Sequence, residues 1–395
     1  MKSIPNKVLM FGPDNSHALG VVRELAAANI DFEFLVQGKA QKCATKSRYC
    51  RKFREFASYD DALDYAIKNY GNAFHKAILL AMGDLIAEKF DNRYSELSKL
   101  FYLSGTKQQG LLTKFDDKNL MCEKARVHGF SVPYTKEYKL GDDLSDVPYP
   151  CIIKPNIVNS RGEFKTKILQ NKEEFDSFKR YLSPQNSYVI QQYISKEYDL
   201  LVYGCRMKDG SVVLSGTYYK DRWSDDGGAS HGYVIAEIPD YCNRKGIASF
   251  LADIDYYGLF SVEYGLEKGV AYFYEFNLRN DGTTNVFFGG GANLPAAWAF
   301  DCADIEFDGA TKVDGKRYVI NETLDQINII KGVVSKEQWK KDYAQATIFY
   351  FYDKDDIEPW RIAKKGLWYK LRINSLLHEY KPVIVHWLRK IGFKK

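Results

Sequence analysis

Over the first hundred residues, short apolar runs of strand length alternate with amphipathic stretches: 8–11, then 18–29, then 32–36, and later 77–81. That rhythm predicts βαβ units built on a parallel sheet. From 113 to 133 the apolar positions Leu120, Met121, Ala125 and Val127 predict a helix, which Gly129 stops before Val132-Pro133. A smaller lobe follows, with strands at 150–154, 167–169 and 188–194 and a helix at 172–181 between the last two. The stretch 199–300 is richer in strands, at 200–203, 212–214, 234–236, 260–264 and 271–276. The predicted organisation is therefore α/β and α+β, with units at 1–110 and 111–310 (small lobe about 135–195), a C-terminal extension at 311–360 and a tail at 361–395.

Composition narrows this further. A chain of 395 residues with 45% apolar and 27% charged residues has the proportions of a folded protein of two or three lobes, not of a disordered one. No apolar run approaches the roughly 18 residues of a membrane span, and the start leads into a strand without a secretory core, so the cytoplasm is expected. Seven cysteines at irregular spacing, with no Cys-x-x-Cys pair, read as buried reduced thiols. The net charge of +5 is unevenly spread: 361–395 carries ten Lys or Arg against Glu379 alone, leaving the body at −4. An acidic body with a basic tail argues against a nucleic-acid-binding protein and for a surface contact made by the tail.

The densest chemistry lies in 258–279. Two apolar strands flank Glu267-Lys268-Gly269, which predicts an antiparallel hairpin. A turn centred near Lys268 sets 275 opposite 261 and 273 opposite 263, so Glu263, Glu275 and Asn277 share one face. Carboxylates among Phe, Tyr and Val require a cation or a proton. Mg²⁺, which takes one or two carboxylates, satisfies them, and so does a same-face salt bridge to Arg279. Lys118 lies on the predicted helix, and Lys154 ends an apolar strand, where its ammonium needs an anion such as a phosphate. The polar loop 156–165 that follows is either a phosphate loop or a hairpin connection.

Three motifs are weaker. Gly12-Pro13-Asp14-Asn15-Ser16 offers helix-start N–H groups to an anion, but the glycines at 12 and 20 do not make Gly-x-Gly-x-x-Gly, so an ordinary βα turn serves equally. Gly228-Ala229-Ser230-His231-Gly232 matches Gly-x-Ser-x-Gly, yet β-rich sequence follows it where a nucleophile elbow needs a helix. Gly38-Lys39 lacks the remaining residues of a Walker loop.

Taken in order, Lys118, Lys124-Ala125, Gly129 to Pro133, Pro150 to Pro155, Val189 to Ile194, Glu263, and Glu275-Phe276-Asn277-Leu278-Arg279 resemble the ATP-grasp superfamily over about residues 7–300. Residues 20–25 with Ser47-Arg48-Tyr49 resemble the domain that precedes the ATP-grasp module in D-aspartate-ligase-like carboxylate–amine ligases. The resemblance implies an ATP-grasp fold behind a Rossmann-like pre-ATP-grasp domain, with ATP and Mg²⁺ as cofactors. It implies Lys118 and Lys154 on the phosphates, Gln191, Gln192, Tyr193 and Ile194 around adenine, and Asp199 on ribose. Glu263, Glu275 and Asn277 would hold one or two Mg²⁺, and Arg279 would face the transferred phosphoryl or the acyl phosphate. Loop 156–165 has fewer glycines than that family's phosphate loop, and Ser160, Arg161 or Lys167 is expected to compensate.

The activity so implied is carboxylate–amine ligation through an acyl phosphate, in cell-wall or surface-polysaccharide biosynthesis, on small-molecule carboxylate and amine substrates. Arg222 and the backbone at Gly227, Gly228 and Ser230 are expected to grip the acceptor carboxylate, a flexible loop unrelated to substrate being the alternative. In the tail, Ile373, Leu376, Leu377 and Tyr380 recur at helical spacing, as do Ile384, Val385, Leu388 and Ile391, fitting either a helix on the anionic inner membrane face or a helix pair packed on the body. Two rival functions remain at this level: a degenerate ATP-binding sensor without turnover, and a serine hydrolase using Ser230.

Overall fold

The computed structural model describes residues 2–115, 117–156, 164, 166–224 and 228–367. Ser160, Arg161, Gly227 and the tail beyond 367 lie outside the described residues.

The N-terminal unit is a five-stranded parallel sheet of β1 (Val8–Gly12), β2 (Phe32–Gln37), β3 (Phe53–Phe56), β4 (Ile78–Ala81) and β5 (Tyr102–Leu103), in the order β3-β2-β1-β4-β5. Strand β1 is buried along its whole length, as a central parallel strand covered on both faces must be, and this is why it reads as an unbroken apolar run. The edge strands escape the pattern: β3 is Phe-Arg-Glu-Phe with its charges exposed, and β5 has two residues. The helix expected over 113–133 is two helices, Leu111–Lys114 and Lys118–Val127, because the Asp117 carboxylate caps the second by accepting from Asn119 and Leu120 N–H. Gly129 ends it at φ +78°, a conformation open to glycine.

The small lobe is an antiparallel sheet of β6 (Thr135–Tyr138), β7 (Cys151–Pro155), β8 (Lys167–Leu169) and β9 (Tyr188–Gln192), in the order β6-β9-β7-β8. It has a core of its own, in which Tyr138, Ile153, Leu169, Phe175 and Tyr188 are buried together.

The large lobe is a seven-stranded sheet of β10 (Tyr198–Arg206), β11 (Val212–Trp223), β12 (Ala229–Ile235), β13 (Gly258–Glu267), β14 (Val270–Asn277), β15 (Arg317–Ile320) and β16 (Ala346–Phe349), in the order β14-β13-β10-β11-β12-β15-β16. The segment expected as an extension therefore supplies two strands of this sheet. One face packs with the N-terminal sheet in a single core, through helices Ser16–Ala27 and Leu294–Cys302. The other face buries helix Arg244–Asp253 through Ile247, Phe250 and Leu251. Helix Ser16–Ala27 approaches helix Thr284–Gly289 so closely that a Cβ on Gly20 would lie 2.8 Å from Asn285 Cβ.

All seven cysteines are buried and unpaired. Among the described residues no helix is long and apolar enough to cross a membrane.

Candidate active site

The hairpin that carries the acidic pair differs from its sequence reading by one residue. The two-residue turn is Lys268-Gly269, both at positive φ (50° and 79°), which pairs Glu267 with Val270. A bulge at Tyr274 then shifts the ladder between Glu263 and Tyr264, so Glu275 stands directly opposite Glu263 and Asn277 opposite Ser261. The expected pairing of 275 with 261 and 273 with 263 is thus corrected. The shared face survives, and is tighter than expected: the carboxylates are cross-strand partners. Asn277 Nδ2 donates to Ser261 Oγ at 3.3 Å and points toward Glu263 Oε1 at 3.5 Å.

Lys220, which the sequence did not single out, completes this face. It is buried on β11 opposite Asp199, and its Nζ lies 3.7 Å from Glu263 Oε2. Burial lowers its pKa, but Glu263, Asp281, Asp199 and Glu275 together outweigh burial and raise it, keeping the ammonium charged. Glu263 is pushed up to about 7 by burial, with Lys220 opposing and Glu275 adding to the rise. Asp281 resists its own burial because Arg279 and Lys220 hold it below the ordinary carboxylate range, and it accepts from Ser261 Oγ at 2.7 Å. The two groups differ because Asp281 has two cations and hydroxyl donors, whereas Glu263 shares one cation with another carboxylate. A divalent cation at Glu263, Glu275 and Asn277 would relieve that deficit. Two opposed carboxylates suit a hydrated hard cation, to which Asn277 would add an oxygen only by turning its amide, since Nδ2 now faces Glu263 and Oδ1 accepts from Arg279; among the described residues no group of three or more His, Cys, Asp or Glu converges.

The face opens on a cleft of about 580 Å³. Its walls include Glu275, Asn277 and Arg279 from the large lobe, Asp117 and Lys118 from the connecting helix, and Asp84 and Glu88 from the N-terminal unit. Lys154, on β7 within electrostatic reach of Lys118 and Glu275, donates to Gln191 Oε1 at 3.2 Å. Its pKa is lowered to about 8 by burial and by Lys118, with Glu275 opposing. Two lysines whose ammonium groups repel each other at the edge of the cleft suit a polyanion. Tyr274, the bulged residue, lies against Gly265 and within electrostatic reach of Asp199 and Tyr193. It too went unnoticed in the sequence, since no alternation pattern marks a bulge.

Other expected residues sit differently. Gln191 is hydrogen-bonded in the small-lobe sheet, accepting from Lys154 and donating to Thr135 Oγ1 at 3.2 Å, so its side chain supports the lysine. Gln192 continues β9, with its N–H given to Tyr134 O. Tyr193 and Ile194 lie in the connection to β10, Ile194 buried and the Tyr193 N–H held by Pro150 O. Asp199 pairs with Lys196 Nζ at 2.6 Å. Lys167 is exposed on β8. Arg279 donates to Asp84 and, at 3.1 Å, to Asn277 Oδ1, bridging the N-terminal unit to the acidic face.

Arg222 is the clearest correction. Its guanidinium forms a bidentate pair with Asp325 at 2.7 Å and 2.7 Å and reaches Asp342 at 2.9 Å, both carboxylates being buried on helices of the 311–360 segment. The fork expected to grip a substrate carboxylate is taken up by protein. Ser230 is buried within β12, hydrogen-bonded to Asn328 Nδ2 at 2.9 Å, and Gly228 precedes that strand; no strand-to-helix elbow exists there. His231 beside it is committed to Asp221 at 2.6 Å. The serine-hydrolase geometry is absent from this segment.

No protein-family model matches the chain, and no curated protein matches it by sequence. Solved structures do. N5-carboxyaminoimidazole ribonucleotide synthetase in its ADP complex superposes with a TM-score of 0.64 at 16% identity, over 84% of this chain and 87% of that one. The L-amino acid ligase from Bacillus licheniformis gives 0.58 at 14%, over 79% of each chain. The biotin carboxylase domain of Hydrogenobacter thermophilus 2-oxoglutarate carboxylase, in complex with MgADP, gives 0.61 at 16%, over 80% and 74%. The architecture is thus that of the two-lobed nucleotide-dependent ligases and carboxylases. It is the ATP-grasp fold.

Proposed function

We propose that the chain is an ATP-dependent ligase that joins a carboxylic acid to an amine through an acyl phosphate, with Mg²⁺. The observation that carries this reading is the direct opposition of Glu263 and Glu275, with Asn277 and Lys220 beside them, where Glu275 and Asn277 share a cleft wall with Lys118 and Lys154 lies within electrostatic reach of Lys118 and Glu275. The fold it shares with a synthetase solved with ADP and with an L-amino acid ligase supports the same reading.

The difficulty in such a reaction is charge. A carboxylate oxygen attacking the γ-phosphorus of ATP meets like charge, so cations must neutralise the phosphoryl oxygens and hold the groups in line. Mg²⁺ bound by Glu263, Glu275 and Asn277 would supply part of that neutralisation. Lys118, Lys154 and Lys220 supply the rest as fixed ammonium groups. Arg279, anchored to Asp84 and lining the same cleft, would offer its guanidinium to the acyl phosphate. ADP leaves with the bridging oxygen's electron pair; the amine nitrogen then attacks the acyl carbon, inorganic phosphate departs, and the nitrogen gives up its proton. The small lobe, with its separate core, is suited to close over these steps and exclude water. We extend the proposal to the tail at 361–395, whose cations and apolar residues suit an anionic membrane surface.

Pooled amino acids and sugar acids, incubated with ATP, Mg²⁺ and hydroxylamine, test the ligase directly. Hydroxamate formation from a particular acid, abolished in Glu275→Ala, is expected, and dependence on that acid identifies the substrate. ADP binding without acid-dependent turnover from any pool overturns the ligase in favour of a nucleotide sensor. Flotation with phosphatidylserine-containing vesicles, with and without 361–395, tests the tail; equal recovery ends that part of the proposal.

A further inference from the structure

A buried hydrogen-bonded chain runs from the shared core to His17, which lies near Arg279 of the cleft wall, and no step above uses it. It begins at Glu24, on helix Ser16–Ala27, which is fully buried with no cation beside it among the described residues. Thr284 Oγ1 lies 3.1 Å from Glu24 Oε1 and 3.2 Å from Oε2. The same hydroxyl lies 3.2 Å from Tyr203 OH. Tyr203 OH donates to Asn280 Oδ1 at 2.5 Å, and Asn280 Nδ2 stands 2.9 Å from His17 Nε2. The chain thus returns to the helix on which it began, two turns nearer its N-terminus.

We propose that Glu24, Thr284, Tyr203 and Asn280 act as positioning residues that hold His17 as a neutral imidazole with its proton on Nδ1, from which it donates to an oxygen of the substrate carboxylate held beside Arg279. The direction follows from proton counting. A carboxyl buried without a cation keeps its proton, and Thr284 Oγ1 is its recorded partner, so Glu24 donates there. Thr284 must then donate onward to Tyr203, and Tyr203 to Asn280 Oδ1. The Asn280 amide is left with Nδ2 facing His17, so Nε2 accepts and the ring proton resides on Nδ1. His17 is half-buried, lies close to Arg279, Asp281 and Asp84, and is kept from protonating by burial and by Arg279. Its Nδ1 takes no bond among the described residues. The arrangement sets a neutral donor near Arg279, able to bind a carboxylate without a second fixed charge, which suits an acid that must remain nucleophilic. This assignment of the acid's position rests on the ligase reading; the tautomer does not.

The test uses the full chain labelled with ¹⁵N-histidine. Long-range ¹H–¹⁵N correlation spectra, with the His17 signals identified by their loss in His17→Asn, are expected to show the Nδ1–H tautomer in the free protein. An Nε2–H tautomer overturns the proposal whatever the protein's activity. Tyr203→Phe removes the donor that fixes Asn280, and is expected to give a mixture of tautomers, whereas Glu24→Gln, whose amide still donates to Thr284, keeps the Nδ1–H form. With the acid returned by the hydroxamate screen, Tyr203→Phe should raise the KM for acid about tenfold with kcat within about twofold, and Glu24→Gln should leave both near wild type. A Tyr203→Phe protein with unchanged tautomer and unchanged KM overturns the positioning role. A screen that returns no acid defeats the ligase reading and leaves the tautomer measurement to judge the network.

Discussion

Lys220 on β11 and Glu263 on β13 meet across β10, Nζ 3.7 Å from Oε2, beside the strand that carries Glu275. The lysine is the cation that the acidic pair keeps even when no ligand is bound. Replacing it with methionine retains the stem and removes the charge, so the loss should fall on phosphoryl transfer. Lys220→Met is expected to lower kcat for acid-dependent ADP formation by about 100-fold, a magnitude typical of one lost charge-stabilising donor. Thermal melts and steady-state rates on the same preparation check that activity, not folding, is what fails.

Lys154 titrates near 8, depressed by burial and by Lys118. The sign is definite. Below pH 8 both folded and unfolded forms carry the charge, the folded form at a penalty; between about 8 and the ordinary lysine value the folded form sheds its proton first, so this group makes stability rise with pH across that window. A nucleotide reverses the preference, because phosphates favour the charged amine. Calorimetry of ADP binding at pH 8.5 in buffers of different ionisation enthalpy should reveal proton uptake, and ADP affinity should weaken as pH climbs through 8. Lys154→Arg should remove both effects.

Arg222 with Asp325 and Asp342 is a buried ion triad, and removing the cation strands two carboxylates. Arg222→Ala is expected to destabilise the fold by about 3 to 5 kcal/mol, read from urea unfolding. If instead stability is kept and only the KM for acid rises, the residue belongs to substrate after all.

Gly20 lies in the interface between helices Ser16–Ala27 and Thr284–Gly289, where an added Cβ would sit 2.8 Å from Asn285 Cβ. Gly20→Ala should therefore destabilise by about 1 to 3 kcal/mol through overpacking, despite alanine's better helix propensity. A melting temperature at or above wild type would contradict the tight fit.

The sequence made the parallel sheet legible because its central strands are buried on both faces and read as apolar runs at 8–11 and 32–36. The small lobe was legible for a related reason, through the strands that build its separate core. What escaped notice was decided by geometry that composition does not carry. Strands β15 and β16 are short and join a sheet whose other members lie far away in the chain. The Tyr274 bulge changes register without a periodic mark. Lys220 looks like any strand lysine until β10 and β13 bring acids around it. Arg222 beside a glycine-containing loop resembled a ligand-binding group, because its two aspartates arrive from about a hundred residues downstream.

The extra residue at Tyr274 also bears on how such sites can be recognised and lost. Side chains on a strand change sides at every step, so the same residues paired without the bulge would set Tyr274 opposite Glu263 and turn Glu275 toward the lobe's interior. Such a hairpin would keep every acid, amide and lysine that marks it as a candidate, and would no longer set its two glutamates opposite each other. The register of this one hairpin is thus a more discriminating reading of a distant relative than the inventory of its ligands.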